Sequence, residues 1–84
     1  MLTQTIKFNG TDCTAYTAKY EDTYIISIPE LGFSMQMDSN QSDEEMTEEL
    51  IMHLFTLLDE DESSYAAEVI QSAIKAEQGD NNGY

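Results

Sequence analysis

The spacing of hydrophobic residues changes once along the chain. Up to about residue 38 they alternate with polar ones, and beyond it they recur every three or four positions. Leu2, Ile6 and Phe8 share one parity and Thr3, Thr5 and Lys7 the other, which predicts a strand with one buried face. Asn9-Gly10 follows, and both residues tolerate the positive φ of a type I′ turn, so a hairpin tip is expected there. The run from Thr11 to Tyr20 is rich in Thr and Tyr, which suit a pleated, half-buried surface; Tyr16, Ala18 and Tyr20 share a parity. Glu21-Asp22 makes a second polar turn, and Tyr24 to Ile28 is a compact apolar strand. Pro29 ends it, because proline offers no N–H to a ladder, and Gly32 allows a sharp redirection. Phe33, Met35 and Met37 then alternate with Ser34, Gln36 and Asp38, a fourth strand that is bent or continuing, before a polar loop to Gln41.

Helical spacing takes over at Ser42. This residue fits an N-cap, with Glu45 three positions on completing a capping box, and Asp43 and Glu44 suit the positive end of a helix dipole. Met46, Leu50, Leu54, Leu57 and Leu58 follow at helical intervals, and Ile51 and Phe55 widen the apolar face beyond what one sheet face needs. Asp59-Glu60-Asp61-Glu62 opposes the dipole at a C-terminus, so the first helix is expected to fray or end there. Ser63 or Ser64 can cap a second helix with the stripe Ala66, Val69, Ile70, Ala73 and Ile74, and Gly79 suits its C′ position. The expected fold is α+β: an antiparallel β-meander of three to four strands followed by two helices, at least the first packed on the sheet. Residues 1–78 form a single domain in this reading, and 79–84 a disordered tail.

Charge narrows the function. Seventeen acids against three cations leave −14 in 84 residues. No arginine is present, and the cations are Lys7, Lys19 and Lys75. Direct binding to nucleic acid, phosphate or an anionic membrane surface is not expected of such a chain. The excess also exceeds the ~2–8 charges that solubility asks of a small domain, and it opposes compaction by self-repulsion. A lone cysteine, Cys13, forms no intramolecular disulfide, which suits a reducing, cytoplasmic setting. Met1-Leu2-Thr3-Gln4 lacks the basic-then-apolar character of a signal peptide, and no apolar run approaches the ~20 residues of a membrane span.

The acids concentrate between the last strand and the second helix. Asp43, Glu44, Glu45, Glu48 and Glu49 on the first helix, with Asp59, Glu60, Asp61 and Glu62 after it, are the candidate partner-binding residues. They form a solvated face in the simplest reading. In the sharper one they occupy a groove built for phosphates on a basic nucleic-acid-binding protein, as a nucleic-acid mimic would.

Catalytic chemistry finds little footing. His53, the single histidine, sits at the border of an apolar face and reads as structural, and Cys13 reads as a buried strand thiol. No G-x-S-x-G motif is present. Asp59, Asp61 and Ser63 imitate the first ligands of an EF-hand, but the sixth position is Ser64 instead of Gly and the twelfth Ile70 instead of Glu. No catalytic residue, metal or cofactor is therefore assigned. Met35, Met37, Met46 and Met52 read as core fillers or as an adaptable contact surface, and Tyr16, Tyr20, Tyr24 and Tyr65 as a surface patch.

The segment Tyr24-Ile25-Ile26-Ser27-Ile28-Pro29-Glu30-Leu31-Gly32-Phe33, with Ser42-Asp43-Glu44-Glu45, Met46 and Leu50 beyond it, resembles the HicB-like antitoxin family. The resemblance spans Thr14 to Leu58 and implies a partial RNase-H-like sheet and helix, without catalytic acids, that masks a small basic toxin. Gly32 falls one residue early for the usual Pro-acid-Leu-Pro-Gly pattern, and no DNA-binding module follows. In size and charge the chain is also similar to small acidic phage anti-defence inhibitors of the anti-CRISPR type. The reading is a non-enzymatic inhibitor that neutralises a basic nucleic-acid-handling partner, in an anti-defence or an antitoxin setting. The alternative from a different class is a phage or bacterial structural or assembly protein that self-associates, for instance as a homodimer, through the sheet edge or a Met/Tyr surface.

Overall fold

The computed structural model describes residues 1–8 and 10–82, the last five by backbone alone. Four strands, β1 (Leu2–Phe8), β2 (Thr11–Tyr20), β3 (Thr23–Ile28) and β4 (Phe33–Asp38), pair antiparallel in the order β1-β2-β3-β4. Two helices follow, α1 (Asp43–Leu54) and α2 (Glu60–Asn82). The expected meander-plus-helices α+β fold is thus the fold observed, with four strands.

The turns follow from local chemistry. Phe8 pairs with Thr11, so a two-residue connection joins β1 to β2; Gly10 has φ +82°, while Asn9 lies outside the described residues. Glu21 takes the left-handed region, φ 54°, at the second two-residue turn, where Tyr20 pairs with Thr23. Pro29 opens a short 3-10 turn, Pro29–Leu31, that ends on Gly32 at φ 63° with its N–H bonded to the Pro29 carbonyl. Within that turn Glu30 has a structural task. Its Oε1 accepts the Thr14 N–H at 3.1 Å, where β2 runs past the end of its pairing with β3. An edge amide that β3 leaves open is thereby satisfied.

One parity of every strand faces the helices. Ile6, Phe8, Cys13, Ala15, Tyr24, Ile26, Ile28, Phe33, Met35 and Met37 are buried on that face. Against them lie Met46, Leu50 and Leu54 from α1, and Ala66, Ala67, Ile70 and Ile74 from α2. α2 lies along β1, α1 along β4, and the two helices pack together. The opposite parity, with Thr3, Thr5, Tyr16, Ile25, Ser34 and Gln36, is open to solvent or nearly so.

The helix boundaries depart from the sequence reading at two places. α1 stops at Leu54, and the acidic run opens α2 instead of closing α1. Asp59 precedes the first turn, and its Oδ1 accepts the Glu62 N–H at 2.8 Å while Glu62 Oε1 reaches back to the Asp59 N–H at 3.4 Å. This is a capping box on Asp-x-x-Glu, so Asp59 performs the task expected of Ser63 or Ser64. Glu60, Asp61 and Glu62 then sit at the positive end of the dipole, where acids stabilise. Ser63 is buried inside the helix. At the far end Gly79 continues α2 and is not its C′ residue; helix takes in 79–82, and residues 83–84 lie outside those described. Asp59→Ala is expected to cost about 1 kcal/mol, or ~4–8 °C in the thermal midpoint of so small a domain, measurable by circular dichroism.

Among the described residues no helix is long and apolar enough to cross a membrane.

Candidate functional site

Of the nine acids that the sequence singles out, the structure commits five to structural tasks. Glu45 completes the α1 capping box: its Oε1 accepts the Ser42 N–H at 3.2 Å, and Ser42 Oγ accepts the Glu45 N–H at 3.2 Å. Glu49 accepts from Gln41 Nε2 at 2.9 Å. Asp43 accepts from Gln71 Nε2 at 3.2 Å and lies 3.9 Å from Lys75 Nζ, tying the start of α1 to α2. Asp59 and Glu62 form the second capping box. Glu44, Glu48, Glu60 and Asp61 are exposed and make no side-chain hydrogen bond or ion pair among the described residues.

The nine do not form one array. Asp43 touches Gln71 and Lys75, so the start of α1 lies beside the later turns of α2. The second group, Asp59 to Glu62, is at the opposite end of the helical layer. The 12 residues of α1 put roughly 18 Å between Asp43 and the end of the helix, with Glu48 and Glu49 about midway.

Between them is a feature the sequence reading missed. Met52 is 68% exposed, Phe55 57% and Leu57 51%, although helical spacing puts Leu57 on the apolar stripe and Phe55 on its widened border. The chain reverses within residues 55–59, and its bonds fix which apolar residue turns inward. The N–H groups of Leu57 and Leu58 both bond to the Leu54 carbonyl at 2.9 Å, and Thr56 Oγ1 donates to the His53 carbonyl at 2.8 Å. That turn returns Leu58 to the core and leaves Phe55 and Leu57 outside. The earlier signal was the width of the Leu50–Leu58 apolar run, more than one sheet face needs.

Helical spacing aligns the exposed side chains. Glu44, Glu48 and Met52 lie on one line of α1 that the C-cap Phe55 continues, acidic at its start and apolar at its end, with Glu60 and Asp61 just past the turn. An apolar tip with acids on both sides is the layout of an interface anchor with a polar rim.

The other sequence candidates are otherwise engaged. His53 is exposed, and its Nδ1 donates to the Glu49 carbonyl at 2.9 Å. Cys13 is buried in β2, and burial, followed by the charges of Glu30 and Asp12, pushes its thiol pKa up, away from nucleophilic thiolate. Met35, Met37 and Met46 fill the core, leaving Met52 outside. Tyr24 is buried with Lys19 Nζ 5.9 Å from its ring centre, while Tyr16 and Tyr20 are on the open sheet face and Tyr65 is on α2. A single Met/Tyr patch therefore does not form. Asp22, Asp38 and Glu49 face an open concavity of about 640 Å³ at the β4 edge, where Gln41 Nε2 also bonds the Asp38 carbonyl at 3.1 Å.

Comparison with known proteins gives no match among curated proteins or solved structures. The family model for YueH-like protein matches residues 2–76, from the first strand into the later turns of α2. That match takes in the Tyr24–Phe33 segment, yet the family it indicates is not the HicB-like one the segment resembles. The chain belongs to the YueH-like protein family.

Proposed function

We propose that the chain is a non-enzymatic binding protein that neutralises a basic, nucleic-acid-handling partner. It docks the helical hairpin, with Met52, Phe55 and Leu57 entering an apolar recess of the partner and Glu44, Glu48, Glu60 and Asp61 meeting its cations. The exposed apolar tip flanked by unpaired carboxylates carries this reading. The net charge of −14 supports it, because a basic partner is steered in by such a field while acidic ones are repelled. An antitoxin masking a small toxin and an anti-defence inhibitor are two settings of the same physics.

Capture from a host lysate in ~0.05 M salt is expected to retain a basic protein whose nucleic-acid binding or cleavage falls stoichiometrically as this chain is added. The complex should weaken steeply by ~0.5 M salt, as the screening length drops below that of physiological buffer. A retained partner that is acidic, or a complex indifferent to salt, would contradict the proposal.

A further inference from the structure

We infer that the β1 edge and the neighbouring flank of α2 form a self-association surface, where a second copy of this chain adds its own β1 antiparallel to make a continuous eight-stranded sheet. This surface is apart from the α1 tip proposed above.

The two sheet edges differ in their fitness for such pairing. β4 borders the concavity lined by Asp22, Asp38 and Glu49, where a second copy with the same charge would be repelled. β1 has one charged residue, Lys7, which lies 3.9 Å from Asp12. It contains no proline, and its pairing with β2 runs unbroken from Leu2↔Thr17 to Phe8↔Thr11, without a bulge. Natural edges are normally blunted by such devices. In a chain of −14 this is the edge where a like-charged copy approaches at least electrostatic cost.

The flank beside it fits the same occupant. An open concavity of about 570 Å³ runs between β1 and α2, lined by Gln4, Tyr65, Val69, Ser72, Ala73 and Ala76, with Glu68 at its rim. Gln4 is close to the middle of β1, and Ser72 is central among the α2 lining residues. A two-fold axis that pairs β1 with its copy near Gln4 therefore also passes near Ser72, so one symmetry operation serves both layers. Antiparallel α2 helices crossing there meet through small side chains. The wall is about 23 Å long, seven residues of strand, and two layers deep. Pairing would bury on the order of 900–1,200 Å², the low end for specific interfaces, so the dimer is expected to be reversible.

Sedimentation of the intact chain over about two decades of concentration tests this, in ~0.05 M and ~0.5 M NaCl. A dimer population that rises with salt is expected, because screening relieves the repulsion between copies; binding to a basic partner changes with salt in the opposite sense. Ser72→Glu sets two carboxylates against each other at the axis and should weaken the dimer at least about tenfold. Ser34→Glu adds the same charge on the open face of β4 and should leave it dimeric. Both positions are exposed, so both variants keep the fold. A monomer under all conditions, a dimer that weakens with salt, a Ser72→Glu variant as dimeric as the parent, or equal disruption by Ser34→Glu would each overturn the inference.

Discussion

Leu54→Ala is expected to lower stability by about 2–5 kcal/mol, and Leu57→Ala by no more than about 0.5 kcal/mol. Leu54 is 0% exposed, among Ile26, Ile28, Leu50 and Ile70 in the core, whereas Leu57 is 51% exposed in the reversal. Truncating the first removes buried methyl groups and leaves a cavity that packed neighbours only partly close; truncating the second removes groups already in water. A domain of this size holds only ~5–15 kcal/mol in total, so the Leu54 variant should be partly unfolded well below the parent's denaturation midpoint. Urea titration with matched slopes measures both. Equal losses at the two positions would show that α1 continues past Leu54 with Leu57 on its buried stripe.

That pair marks where the sequence stops being informative. Period-two alternation identifies the strands because a strand offers only two faces, and a half-buried sheet must put its apolar residues on one of them. Leu2, Ile6 and Phe8 could hardly be misplaced, and Ser42-x-x-Glu45 marked the start of α1 by the same chemistry the structure shows. Helical spacing is weaker evidence near a helix end, since Leu54, Leu57 and Leu58 fit one stripe whether or not the backbone stays helical. The decision rests with Asp59-x-x-Glu62, a second capping box whose carboxylate cap was masked by its acidic neighbours. Read as a C-terminus, the run opposes the dipole; read as an N-terminus, it supports it. The second reading removes the conflict, and with it comes the exposure of Phe55 and Leu57. The acidic site was only half legible for a related reason. Composition locates nine acids, but which are engaged depends on partners distant in sequence, such as Gln71 and Lys75 for Asp43, or on a loop residue, as Gln41 for Glu49.

The apolar tip and the acidic rim should separate kinetically in partner binding. Phe55→Ala is expected to weaken the complex by about 30-fold or more, the loss typical of a buried aromatic anchor, almost wholly through faster dissociation. Its effect on folding should be small, because Phe55 is 57% exposed and already outside the core. Replacing Glu44, Glu48 and Glu60 by Gln and Asp61 by Asn removes four charges while preserving size and hydrogen-bonding capacity. Relief of like-charge repulsion offsets the lost favourable placement of three of these acids in the first helical turns, so stability should stay close to the parent's. Association should slow by about tenfold or more at low salt, and its salt dependence should flatten, with dissociation changed less. Substituting Glu45 and Glu49 instead would confuse the result, since one caps α1 and the other holds Gln41. Surface-plasmon or stopped-flow traces at several ionic strengths resolve the two rates. If Phe55→Ala and the four-amide variant both leave association and dissociation as in the parent, the tip is only an exposed turn and the carboxylates only a solvated face; the partner would then have to engage the open sheet face around Tyr16 and Ile25.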